Sequence, residues 1–175
     1  MNAIVIYKTK YGSTKAYAEW IKEELDCDIK DVKEITIDEI EKYDTIIYGG
    51  GLYAEVINGV TIITKNIDRL KDKKIAIFST GITPLDCREY YDKYVIEKNF
   101  KNGVPQRVKV FNFMGKMILN ELTPVHRSAL KTLKKIMSAK KEPKEIEKLL
   151  IELCDADGDF SDRNQIYELI KYVRD

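Results

Sequence analysis

Along this chain a short apolar run is followed, again and again, by a longer amphipathic stretch. Runs of strand length stand at residues 3–7 (AIVIY), 45–50 (TIIYGG), 74–80 (KIAIFST) and 108–113 (VKVFNF). The first three are nearly continuous rather than alternating, as strands covered on both faces require, so a parallel sheet flanked by helices is predicted. A weaker run, CDIKDV at 27–32, alternates and reads as a half-exposed edge strand. Tyr17, Trp20, Ile21 and Leu25 share one face of a helix from about 14 to 25, whose other face carries Lys15, Glu19, Lys22 and Glu23. Asn58-Gly59 opens a stretch to about 70 that is rich in β-branched residues and predicts only a poor helix. Thr83 as N-cap, Pro84 as first helical residue and Asp86 in the third position predict a helix running to about Asn99. Strands alternating with helices, joined by right-handed crossovers, build a doubly wound α/β sheet.

Beyond Gly115 the pattern changes to three helical stretches, at about 124–139, 143–153 and 161–173. Only the last is needed to cover the sheet. Residues 115–157 therefore read as a helical insertion inside a single domain spanning 1–175, too long for an ordinary connection. A chain of this length buries roughly 70% of its unfolded surface without a disulfide staple.

Charge narrows the partners. Thirty lysines and arginines against 29 acids leave a formal charge of +1, so no global field calls for nucleic acid. With no basic leader and no run of about 18 apolar residues, the expected location is cytoplasmic. Cys27, Cys87 and Cys154 form no C-x-x-C pair, which fits a reducing compartment. His126 is the lone histidine, which argues against histidine-rich metal centres and Ser-His-Asp catalysis. No metal site and no catalytic side chain are expected, and His126 itself reads as a surface residue following Pro124.

The chemistry sits where strands end. In open α/β sheets ligands bind beyond the carboxyl ends of the strands. KTKYGST (8–14) lies at such an end and opens a helix, whose first N–H groups and positive dipole end would hold an anion. Thr9, Ser13 and Thr14 add hydroxyls, and Gly12 lets the chain turn. The spacing matches neither the triphosphate loop G-x-x-x-x-G-K-S/T nor the dinucleotide fingerprint G-x-G-x-x-G, which leaves a monophosphate. Taken alone, the loop reads equally well as a capped helix start. Two more strand ends carry the same residue types: Gly49, Gly50 and Gly51 with Tyr53 after the third strand, and Ser79, Thr80, Gly81 and Thr83 after the fourth.

These three segments resemble the flavodoxin superfamily. Its FMN-phosphate loop reads hydroxyl, any residue, hydroxyl, glycine, any residue, threonine. Thr9-Lys10-Tyr11-Gly12-Ser13-Thr14 matches it except that Tyr11 replaces the middle hydroxyl, removing one phosphate donor. GGGLYA (49–54) and FSTGITP (78–84) resemble the two loops that hold the isoalloxazine ring, and GDFSDRNQI (158–166) resembles the start of the last helix in the menaquinone-dependent protoporphyrinogen-oxidase-like branch. The resemblance implies a flavodoxin-like, doubly wound five-stranded parallel sheet of order 2-1-3-4-5 with helices on both faces. It implies FMN as cofactor, with Thr9, Lys10, Tyr11, Gly12, Ser13 and Thr14 at the phosphate. Gly50, Gly51, Leu52, Tyr53 and Ala54 would face the ring; Ser79, Thr80, Gly81, Ile82 and Thr83 would meet its pyrimidine edge, with Tyr90 or Tyr91 nearby. The function implied is electron transfer between a reduced donor and an acceptor, either a redox partner protein or a quinone. The alternative is an enzyme of the protoporphyrinogen type in heme biosynthesis, with a small-molecule donor.

Two departures from the family matter. Soluble carriers of the family are typically acidic, whereas this chain is near neutral, so the flavin potential is expected to be less low and the acceptor moderately oxidising. Residues 122–141 hold six cations and no acid, with Val125, Ala129, Leu130, Leu133, Ile136 and Met137 at helical spacing. Such a helix either packs its stripe on the sheet or on a second copy in a homodimer, or lies peripherally on an anionic membrane.

Overall fold

The structure, a computed structural model, describes residues 2–175. Strands β1 (Ala3–Lys8), β2 (Asp28–Asp31) and β3 (Thr45–Tyr53) follow the apolar runs, with α1 (Ser13–Leu25) and α2 (Ile37–Ile40) between them. After β3 a two-residue turn leads to β4 (Val56–Ile57), then α3 (Thr61–Thr64), β5 (Lys74–Gly81), a helical segment ending in α4 (Ile96–Asn99), and β6 (Val108–Met114). The parallel strands lie in the order β2-β1-β3-β5-β6, and β4 pairs antiparallel with β3. Counting only the parallel strands, this is the expected order 2-1-3-4-5.

Both faces of the sheet are dry because consecutive residues in the middle of each central strand are apolar and point alternately to the two sides. One face buries Ile4, Ile6, Ile46, Tyr48, Ile75 and Ile77 against Ile40, Ile63 and Val95. The opposite face buries Val5, Ile47, Ala76 and Phe78 under Tyr17, Ala18 and Ile21 of α1 and Leu169, Ile170 and Val173 of α7 (Tyr167–Arg174). β2 alternates exposed and half-buried positions, as an edge strand does.

Several local expectations are corrected. β3 does not end at Gly50 but runs to Tyr53, so the glycines lie inside the strand. The segment from 58 to 70 yields only one α turn, consistent with its β-branched content. Thr83 does not cap a helix: residues 85–86 form a turn, the helix begins at Arg88, and its middle, Tyr90–Val95, is wound as a π-helix. Tyr90 and Tyr91 are thereby carried into the core, ring against ring at 5.2 Å, and neither lines the cleft described below.

Between β6 and α7 the chain leaves the sheet. β7 (Lys116–Met117) and β8 (Gly158–Asp159) form an antiparallel ribbon, and α5 (Pro124–Ser138) and α6 (Glu145–Leu153) are looped out between them. Neither helix has a fully buried residue. Among the described residues no helix is long and apolar enough to cross a membrane.

The ribbon is anchored by one buried hydroxyl. Tyr17 donates to the Met114 carbonyl at 2.7 Å and accepts the Asp162 N–H at 3.0 Å, while Gln165 Oε1 accepts the Met114 N–H at 2.7 Å. Burial pushes the Tyr17 hydroxyl up to about 12. Tyr17→Phe keeps the ring stacked on Phe113 but strands one carbonyl and one N–H. The expected loss is about 1–3 kcal/mol, read as a lower urea midpoint at unchanged slope.

Candidate functional site

β1 ends at Lys8, and the chain turns through Gly12, whose φ of 95° lies in the left-handed region. The Gly12 N–H donates to Thr9 Oγ1 at 3.0 Å, closing the loop on itself. The first bond inside α1 runs from the Ala16 N–H to the Gly12 carbonyl, so the N–H groups of Ser13, Thr14 and Lys15 belong to the unpaired first turn. Neither Ser13 nor Thr14 caps the helix, since Gly12 is the cap residue and no side chain fills that role. The Thr14 hydroxyl is instead buried and lies 2.7 Å from that of Thr80, tying the loop to the end of β5.

At the neighbouring strand end, Ala54 and Glu55 both have positive φ, 46° and 63°, and make the tight turn into β4. Asn99 holds that turn from below, donating to the Glu55 carbonyl and accepting the Ile57 N–H. The Tyr53 ring folds back over Gly51, and Leu52 packs beside Gly81. Burial pushes the Tyr53 hydroxyl up to about 12.

Together these ends border one cleft of about 440 Å³. Thr9, Lys10, Tyr11, Ser13, Thr14, Gly51, Leu52, Tyr53, Ala54, Thr80, Gly81 and Ile82 line it. Four expected residues do not. Gly12 shapes the loop from outside the lining, and Gly50 is packed under the β4 turn. Ser79 is buried with its hydroxyl on Asn112 Oδ1 at 2.7 Å, and Thr83 is buried with its carbonyl on the Tyr91 hydroxyl. Tyr90 and Tyr91, in the core, are also absent from the lining.

The remaining wall comes from the insertion: Gly115, Lys116, Met117, Leu122, His126, Ala129, Leu130 and Leu133. The apolar stripe of α5 is thus turned neither onto the sheet nor wholly to solvent, but over the ligand end of the strands. Val125 and Ile136, off that side, are well exposed, and on the cleft side Ala129 and Leu133 remain exposed while Leu130 is half-buried.

His126 is the hinge point of this wall. Its Nδ1 is 2.6 Å from the Tyr11 hydroxyl, its Nε2 is 3.4 Å from Lys10 Nζ, and its ring centroid lies 5.2 Å from that of Tyr53. An ammonium can only donate, so Nε2 is the acceptor and Nδ1–H donates to Tyr11. Burial first, and Lys10 second, lower the His126 pKa and favour this neutral form. The substitution of Tyr11 for a loop hydroxyl therefore has a structural role: its side chain reaches across to α5, where the Thr123 N–H also approaches it at 3.4 Å. The stripe and the histidine were both visible in the sequence, but nothing in their spacing named the cleft as their target.

The arrangement is chemically one-sided. Donors and hydroxyls converge at the α1 end, apolar and aromatic side chains form the other walls, and the only charged lining residues are Lys10 and Lys116. A phosphate monoester joined to a flat, largely apolar ring fits both halves.

Several known proteins are similar to this chain over half or more of their own length. An uncharacterized protein of Methanocaldococcus jannaschii is 34% identical over 87 residues, 48% of this chain, and the match spans 57% of that relative's length. Among solved structures, a flavodoxin from the domain Archaea is similar at 17% identity and TM-score 0.40, covering 89% of this chain and 97% of its own. Flavodoxin 2 of Bacillus cereus is similar at 18% identity and TM-score 0.37, covering 88% and 95%. A family model described as the flavodoxin domain matches residues 4–145, through the phosphate-type loop, both further strand ends and the whole of α5, and this chain belongs to that family.

Proposed function

We propose that this chain binds FMN in the cleft and passes electrons between a reduced donor and an acceptor. One observation carries the reading. The Thr14–Thr80 bond brings the unpaired first turn of α1 to the mouth of a cleft whose deeper walls are apolar. In this reading the loop from Thr9 to Thr14 holds the phosphate, Leu52 and Tyr53 support one face of the ring, and α5 covers the other. FMN supplies the redox chemistry when bound; the protein orients it and excludes water. No carboxylate lines the cleft and two lysines do, which favours the negatively charged reduced form and so an acceptor of moderate potential.

The test is direct. Apoprotein titrated with FMN is expected to quench flavin fluorescence, to stay yellow once free FMN is removed by gel filtration and to release FMN on denaturation. A preparation that quenches nothing in excess FMN and is colourless after the free flavin is removed overturns the reading.

The wall from α5 favours a second, finer reading. An apolar cover over the ring suits a small hydrophobic partner such as a quinone better than docking of a protein, in line with an enzyme of the menaquinone-dependent protoporphyrinogen-oxidase type. Turnover of a reduced porphyrin with a quinone supports it; reduction by redox proteins alone supports the carrier.

A further inference from the structure

We propose that Lys116, on the ribbon strand β7, is a cationic ligand for the phosphate, with Glu121 as the counter-ion that competes for it. The inference rests on the FMN reading above. It begins with backbone geometry. The Gly115 N–H donates to the Gly81 carbonyl at 2.6 Å, and the Gly115 carbonyl accepts the Phe160 N–H at 3.1 Å. A Cβ at Gly115 would stand 3.1 Å from Ser13 Oγ, so the chain here touches the loop itself. The next residue is therefore delivered to the loop by main-chain bonds, not by a flexible surface segment. Lys116 Cε lies 3.9 Å from where a Cβ on Gly12 would be, over the turn that opens α1.

Charge points the same way. Lys116 is mostly buried and lines the cleft, whereas Glu121, 3.3 Å from its Nζ, is half exposed and lies outside the lining. An exposed carboxylate holds an ammonium weakly. A phosphate monoester, carrying nearly two charges and three acceptor oxygens, is the stronger partner for it. The other lysine of the cleft is already engaged, with Lys10 Nζ 3.4 Å from His126 Nε2. The loop also has a donor to replace, because Tyr11 stands where the family loop has a short hydroxyl and its side chain reaches instead to His126 and Thr123. Lys116 stands where that missing donor would be made up, and it comes from the same insertion that draws Tyr11 away.

Four proteins and two ligands test this: wild type, Lys116→Met, Lys116→Arg and Glu121→Gln, each titrated with FMN and with riboflavin, which lacks the phosphate. Lys116→Met is expected to raise the FMN Kd about tenfold and to leave riboflavin within about twofold, with Lys116→Arg restoring most of the difference. Glu121→Gln is expected to do the opposite, tightening FMN severalfold, because it removes the competitor. A purely structural Lys116–Glu121 pair would make both variants weaken both flavins alike, and that result overturns the proposal. So does an FMN-to-riboflavin ratio that is unchanged in Lys116→Met. A wild type that binds neither flavin overturns the FMN reading, and this proposal with it; riboflavin binding in each variant reports that its cleft is folded.

Discussion

Gly50→Ala is expected to lower stability by about 3 kcal/mol, whereas Gly51→Ala, one residue on, is expected to cost well under half of that. A Cβ at Gly50 would lie 2.6 Å from the Asn58 carbonyl oxygen and 2.8 Å from Ile57 Cγ2. Backbone is the obstacle, and it belongs to the segment that β4 pins to β3 and Asn99 holds from below. Relief requires moving the turn at 54–55 as a unit. A Cβ at Gly51 would first meet the Tyr53 ring, at 3.0 Å, and a ring on the cleft wall can swing away. The two variants therefore separate fold from site: Gly50→Ala lowers the urea midpoint, while Gly51→Ala leaves it nearly in place and changes flavin affinity by shifting Tyr53. Equal midpoints for both would show that the β4 turn yields freely.

That contrast also explains what could be read from the glycines in advance. Three in a row inside an apolar strand demand close approach, and close approach is found, but only Gly51 lines the cleft. A Cβ at Gly49 would stand 2.1 Å from the Phe78 ring, so this residue serves core packing on the α1 side. Sequence states that something must come near; it does not say whether that is ligand, backbone or a neighbouring ring.

The sheet was legible for a simple reason. The middles of its central strands are continuously apolar because each buries both faces, and that pattern depends on few long-range details. The α1 loop was legible too, since turn, hydroxyls and helix start are consecutive. What stayed hidden depends on partners far apart in the chain. Thr83 looked like a cap, yet a turn at 85–86 separates it from the helix that begins at Arg88, and Tyr91, in the π-wound stretch of that helix, donates to its carbonyl. His126 looked like a surface residue, but its surroundings are Tyr11, Lys10 and Tyr53, all more than 70 positions away in sequence. The stripe of α5 was plain, and only the antiparallel ribbon that begins and ends the insertion directs it over the cleft.

The same ribbon permits the most drastic test of that assignment. Lys116 pairs with Asp159 and Met117 with Gly158, so residues 118–157 leave and return at adjacent positions of one antiparallel ladder. Joining Met117 to Gly158 through Asn-Gly, which favours the two-residue hairpin turn, removes α5 and α6 without asking the strands to move. Since neither helix has a fully buried residue, the shortened chain is expected to keep the sheet and a cooperative unfolding transition. FMN affinity should fall steeply. Uncovering roughly 120 Å² of ring and side-chain surface, at about 25 cal/mol per Å², is about 3 kcal/mol or about a hundredfold in Kd. Riboflavin should lose at least as much affinity, because the lost contacts are to the ring, and the preference for FMN over riboflavin should persist and grow, because Lys116 and the α1 loop remain while Glu121, the competitor for Lys116, is removed. Fluorescence titration of both flavins, with circular dichroism to follow the sheet, decides the matter. Undiminished affinity in the shortened chain would mean that α5 is no wall of the site, and loss of the sheet would mean that the insertion belongs to the core after all.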